Sequence, residues 1–210
     1  MTSTTSTPRP ALAPAPAPAP APAPDSARAP APASVSIAPM DGAADARAFH
    51  DLNAGWITQH FALEETDLAV MLDPQTAVVD AGGAVLIARD GEARIGCVAL
   101  LPHGPGVAEL AKMTVAQDRR GTGLGRALIT AAIETARAMG FSRLVLESNT
   151  ALVAAVRLYE SVGFEHVPAD RREPSPYERA DVFMDLELRP RVRHDEDCPR
   201  RMTLSGCWAS

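Results

Sequence analysis

Val115-Ala116-Gln117-Asp118-Arg119-Arg120-Gly121-Thr122-Gly123-Leu124-Gly125-Arg126-Ala127-Leu128 is the stretch on which the fold of this chain turns. A strand-like apolar run ends at Val115, two arginines and three alternating glycines follow, and an alanine-rich helical pattern begins at once. Glycines let backbone amides approach an anion without a Cβ in the way, and a helix start adds unpaired N–H groups and a positive dipole end. The segment therefore reads as a phosphate cradle between a strand and a helix. It has no G-K-[ST], which excludes a nucleotide-hydrolysing P-loop. The dinucleotide fingerprint G-x-G-x-x-G fails too: counted from Gly121 its third glycine is Arg126, and counted from Gly123 it is Leu128. What fits is R-x-x-G-x-G, Arg120 through Gly125. An ordinary glycine-rich turn with surface arginines is the plainer alternative.

Working outward, the pattern predicts a short strand at 35–37 stopped by Pro39, then a helix capped by Asp41 with Ala44, Ala48, Leu52, Trp56 and His60 four apart and Phe49 and Ile57 on neighbouring positions, forming one apolar stripe. A second short helix is expected over 64–72, ahead of Asp73-Pro74. Gly82-Gly83 and Asp90-Gly91 bracket a buried strand at 84–88, with a hairpin partner at 95–101 and a third strand at 107–115. Strands then alternate with helices: helix 123–139, strand 143–147, helix 151–161, strand 164–167 and a last strand 182–188. A meander followed by β-α-β-α-β predicts an α/β fold, a mixed sheet with helices on its faces.

The ends are different in kind. Residues 1–34 hold ten of the 19 prolines and eleven alanines, with no branched or aromatic apolar side chain after Leu12, so they cannot repay the entropy of ordering. We expect a disordered Ala/Pro-rich tail at 1–34, one folded domain at 35–188 and a flexible Arg-rich tail at 189–210. Removing both ends takes the net charge from −6 to about −9. That argues against a nucleic-acid partner, which needs a basic face. No apolar run reaches membrane-span length and no secretory signal pattern opens the chain, so no membrane partner is expected. Three cysteines without a C-x-x-C pair and five histidines without ligand spacing point to a reducing cytoplasm and no metal.

Glu109 to Gly140 resembles the central motif of the GNAT superfamily of N-acetyltransferases, which bind the pyrophosphate of acetyl-coenzyme A (acetyl-CoA) through R/Q-x-x-G-x-G/A. Leu144 to Asn149, then Ala155 to Phe164 with its L-Y-x-x-x-G-F ending, is similar to the next strand and helix of that family. The likeness covers about 35–188 and departs at Gln117, where many members carry proline. Glu109-Leu110-Ala111-Lys112-Met113 also looks like a bacterial subgroup whose acceptors are largely unassigned. The resemblance implies a mixed, mostly antiparallel central sheet flanked by helices, acetyl-CoA as co-substrate and an amine acceptor, and leaves a homodimer open.

It also implies roles. Met113, Thr114 and Val115 would offer backbone groups to the pantetheine arm and acetyl carbonyl, and Arg120, Gly121, Thr122, Gly123, Leu124, Gly125 and Arg126 would hold the pyrophosphate. Arg119 is expected to be a surface charge. Tyr159 stands where many members place the acid that protonates the coenzyme sulfur; otherwise it is a packed helix tyrosine. Asn149 would contact the cofactor or cap the following helix. Glu109 would act as general base, or else is a strand-edge glutamate in water or a partner for Lys112 or an arginine, and strand alternation predicts Glu109, Ala111, Met113 and Val115 on one face. Glu64, Glu65 and Asp67 would attract a cationic amine, or else are a solvated helix start. Lys112 has no assigned role. The competing reading is a module that binds acyl-CoA without turnover.

Overall fold

The computed structural model describes residues 35–172 and 174–188. The two predicted tails, with Cys198 and Cys207, lie outside the described residues. Strands β1 (Ser36–Pro39), β2 (Ala84–Asp90), β3 (Ala93–Pro102), β4 (Val107–Val115), β5 (Arg143–Ser148), β6 (Glu165–His166) and β7 (Val182–Glu187) form one sheet in the order β1-β2-β3-β4-β5-β7-β6. Only β4 and β5 pair in parallel; the other neighbours are antiparallel. Helices α1 (Gly42–His60) and α2 (Glu65–Met71) cover one face, while α3 (Leu124–Ala138) and α4 (Val153–Ser161) pack with the core of the other. No helix among the described residues is long and apolar enough to cross a membrane.

α3 shows why the sequence folds this way: Leu124, Leu128, Ile129, Ala132, Ile133 and Ala136 recur at helical spacing, and all six are buried. α1 departs from the predicted stripe. Its buried residues are Asp45, Phe49, Asn53 and Ile57: of the stripe, Phe49 and Ile57 are buried, while Ala44, Ala48, Leu52, Trp56 and His60 stay partly or fully exposed. Two are polar, and each is paid for by partners remote in sequence: Asp45 takes ion pairs from Arg89 and from Arg94 (3.0 Å), and Asn53 donates to Phe49 O and Cys97 Sγ. Asp41 is the helix N-cap by position, but its side chain makes no cap bond; its amide donates to Asp45 Oδ2 instead. A π-helical turn at Gln75–Val79, unanticipated from the pattern, follows α2.

The second departure positions the site. Ala99 pairs with Ala111 and Cys97 with Thr114, so β4 spends three steps where β3 spends two. The extra residue is a β-bulge, and Lys112 sits there at φ 50°, a left-handed conformation uncommon for a residue with a Cβ. The bulge breaks the alternation predicted for β4. Ala108, Leu110, Met113 and Val115 belong to the core under α3, so Met113 and Val115 do not share the face of Glu109.

Candidate active site

β4 and β5 are bonded only from Val107↔Arg143 to Glu109↔Val145. Beyond that point β4 continues along β3 and β5 along β7, and the two inner edges part. A sheet that forks this way leaves backbone N–H and C=O groups of residues 110–115 facing a gap. The two strands therefore splay at this point. Within the gap lies a cavity lined by Trp56 and Phe61 on one side, Glu109 to Met113 along β4, Glu147 to Asn149 on β5, and Tyr159, Tyr177 and Arg179.

At the end of β4 the chain makes a short 3-10 turn (Gln117–Arg119) and enters the glycine loop. Gly121 and Gly123 stand at φ 77° and 90°, and Gly123 is the N-cap of α3. An added Cβ at either would meet nothing within 4 Å, so the space over these amides is open. Among the described residues, the amides of 121–126 have no acceptor; the first paired one is Ala127, bonded to Gly123 O. Six consecutive donors at a helix start fit a pyrophosphate. Gly125 serves a different purpose: a Cβ there would lie 3.1 Å from Leu158 Cδ2, so it lets α3 approach α4. Arg120 folds back onto Val115 O and Arg126 reaches Ser161 Oγ at 2.8 Å. Arg119 pairs with Asp90 at 2.9 Å, in keeping with a surface charge.

The two acid–base candidates meet in the cavity. The Glu109 carboxylate makes no hydrogen bond among the described residues, and its pKa is raised by burial first and by the neighbouring Glu147 second, against partial relief from Lys112 and His103. A carboxylate so placed is a stronger base than one in water. Tyr159 packs against Phe164 with ring centroids 6.0 Å apart, and burial pushes its phenol up to about 12, which keeps it protonated at neutral pH. Asn149 also lines the cavity, but both its side-chain groups are engaged: Nδ2 donates to Arg179 O (2.6 Å) and Oδ1 accepts from Ala151 N (2.8 Å). The N-cap of α4 is Leu152, three residues on.

Lys112 gains a role. Its side chain is 6% exposed, and its Nζ donates to Asp67 Oδ1 and to Tyr177 Oη, both at 2.8 Å. Asp67 is fully buried and also takes two bonds from Arg179 (2.9 and 2.7 Å) and one from the Glu64 amide. Burial raises the Asp67 pKa, but Arg179, Lys112 and the Glu64 amide outweigh it and hold the carboxyl below its ordinary value. Arg179 also bonds Glu64 Oε1 at 2.6 Å. Asp67 and Glu64 are thus partners of internal cations rather than free attractors of an amine; Glu65 is exposed. The network fastens α2 to the segment 174–181, whose other contacts, Ser175 to Glu147 (2.5 Å) and Asp181 to Thr150, hold it against β5. Ser175, Tyr177 and Arg179 were not among the predicted site residues. Their pairings span 112 or more positions between Arg179 and α2, and no local periodicity marks them.

A forked, mostly antiparallel sheet with an amide-lined loop at the tip of the fork is the architecture of acyl-CoA N-acyltransferases. The family described as Acetyltransferase (GNAT) matches residues 47–164, more than half of the chain, and the chain belongs to that family. It is 37% identical over 108 residues to an uncharacterized N-acetyltransferase of Schizosaccharomyces pombe, covering 50% of this chain and 64% of that protein. It is 31% identical over 100 residues to N-acetyltransferase 8F1 of Rattus norvegicus, covering 45% of each. The chain thus spans about half to two thirds of the length of these curated relatives. Among solved structures it is similar to a GNAT-family acetyltransferase of Staphylococcus aureus, with a TM-score of 0.67 at 15% identity over 74% of this chain and 100% of that one. It also resembles yncA of Salmonella typhimurium, a putative acetyltransferase solved with acetyl-CoA, with a TM-score of 0.59 at 23% identity over 77% and 98%. At these identities the structural likeness is one of fold.

Proposed function

We propose that this protein is a cytoplasmic N-acetyltransferase that moves an acetyl group from acetyl-CoA to a primary amine of a small molecule or peptide, directly, in a ternary complex. The observation that carries this reading is the fork, with the free amides of 121–126 at its tip and Glu109 and Tyr159 inside it. Acetyl-CoA supplies the activated thioester. The amides of the loop, with Arg120 and Arg126 beside them, hold the pyrophosphate, and the open edge at Met113, Thr114 and Val115 receives the pantetheine arm. The amide near Met113 donates to the acyl oxygen, which gains charge as the amine adds. Asn149 acts as part of the wall, its side chain spent on fixing the segment 174–181.

Glu109 accepts the proton released as the amine nitrogen bonds to the acyl carbon, and Tyr159 supplies the proton that sulfur needs as the carbon–sulfur bond breaks. A phenol at about 12 is a weak acid toward an ordinary thiolate of about 8.5. The burial that raises the phenol raises the departing thiol as well, and a hydrogen bond to sulfur already lowers the barrier. No covalent intermediate is needed: Cys97, the cysteine within the described residues, is buried with its thiol pushed up to about 12, and a protonated thiol is a poor nucleophile.

The test is to incubate the full chain with acetyl-labelled acetyl-CoA, with and without a panel of amines. Label should appear on an amine and never stoichiometrically on the protein. A stable acetyl-protein would overturn direct transfer. Tight coenzyme binding with no labelled amine would favour a binding module instead.

A further inference from the structure

The charges around the cavity narrow the acceptor, on the reading of this pocket as an acetyl-transfer site. Lys112 and Arg179, the two lining cations, are consumed internally: Lys112 by Asp67, and Arg179 by Asp67 and Glu64. An acceptor bearing a carboxylate would have to break one of these buried pairs, which is costly because the displaced acid is left uncompensated. The two lining carboxylates of the fork are in the opposite condition. Glu109 registers with Val145, and Glu147 lies two residues further along β5, so both are on one face of the sheet at the point where the strands part. The Glu109 carboxylate has no hydrogen-bond partner among the described residues, and that of Glu147 receives the hydroxyl of Ser175. They are close enough to repel each other. The rings of Phe61 and Tyr177 in the walls are engaged by the same internal cations, Lys112 and Arg179 lying over Tyr177 (4.6 and 4.7 Å) and Arg179 over Phe61 (5.8 Å), so the two carboxylates are the groups left for a cationic acceptor.

We propose that the acceptor is a diamine-type molecule, with one ammonium group engaged by Glu109, where it is deprotonated and acetylated, and a second, unreacting ammonium held by Glu147. Two cations opposite two carboxylates relieve the repulsion that the empty cavity carries. One cation leaves one carboxylate uncompensated, and an ω-amino acid adds a third negative charge.

The test compares 1,3-diaminopropane, 1,4-diaminobutane and 1,5-diaminopentane with the n-alkylamine and the ω-amino acid of matched length, reading coenzyme thiol release from acetyl-CoA by the full chain. The best diamine should exceed its monoamine by about tenfold or more in kcat/KM, the gain expected for one close charge pair in a desolvated site, and the amino acid should be the poorest of the three. Glu147→Gln should bring the diamine-to-monoamine ratio toward one. Monoamines or amino acids that match the diamines, or a ratio unmoved by Glu147→Gln, overturn the acceptor assignment while leaving acetyl transfer intact. Coenzyme binding without thiol release from any of the three classes overturns both.

Discussion

Replacing Asp67 with alanine probes the piece of structure that closes the cavity. Asp67 accepts four hydrogen bonds, from the Glu64 amide, Lys112 and both terminal nitrogens of Arg179, and its side chain has no exposed surface. The variant leaves two charged groups, 6% and 20% exposed, without their shared counter-ion. Losing one side of a buried ion network costs about 3–5 kcal/mol. With a urea slope of roughly 2 kcal/mol per molar for a domain of this size, the unfolding midpoint should fall by about 1.5–2.5 M. Adding Lys112→Met to Asp67→Ala should restore part of the loss, because it removes one stranded charge; a coupling of about 1–3 kcal/mol is expected. Equilibrium urea unfolding followed by circular dichroism is the assay. A midpoint shift under about 0.5 M, or strictly additive effects in the double variant, would refute the view that this network holds α2 and the segment 174–181 together.

Tyr159→Phe should lower kcat by about a hundredfold, the lower range for a lost proton donor, without weakening coenzyme binding; an unchanged rate in steady-state assays removes Tyr159 as the acid. Gly123→Val meets no atom within 4 Å, yet forces a branched residue to φ 90°; with left-handed strain of about 1–2 kcal/mol, calorimetry should show coenzyme binding about tenfold weaker. Gly125→Val acts on packing instead, driving a side chain into Leu158 and Met113, and should cost about 1–3 kcal/mol of stability in thermal unfolding. Asp45 and Asp67 both bind protons more weakly in the folded chain than at their ordinary 3.8. The unfolded chain therefore takes up protons first, so stability is full near neutrality and falls as the pH drops below about 5, and Asp67→Asn should flatten that fall in melting curves. Glu109 is shifted the other way, above 4.5, so the acid limb of kcat/KM should lie above that value.

The elements legible in the sequence were those whose signal is local. β4 spans the residues that alternation and the Gly104-Pro105-Gly106 break delimit, and α3 starts directly after Gly123. The R-x-x-G-x-G loop was readable because backbone approach and a helix start are properties of consecutive residues. Two errors share another cause. The stripe of α1 shows Phe49 and Ile57 but not the line they share with Asp45 and Asn53, which look like surface positions until Arg89, Arg94 and Cys97, more than forty positions away, supply their partners. The face of Met113 was misassigned because a bulge at Lys112 leaves no mark in a pattern of period two, and its support, the ion pair to Asp67, is equally remote. Tyr177 and Arg179 sit between short turns with no apolar rhythm, and only the folded chain brings them to the cavity.

The account stands most directly on amine-dependent release of coenzyme thiol from acetyl-CoA, measured for the full chain and for Glu109→Gln. It predicts release that saturates in both substrates and drops about a hundredfold in the variant, the effect of removing a general base, with coenzyme affinity retained. Coenzyme binding with no amine-dependent release, or equal release by Glu109→Gln, would contradict it.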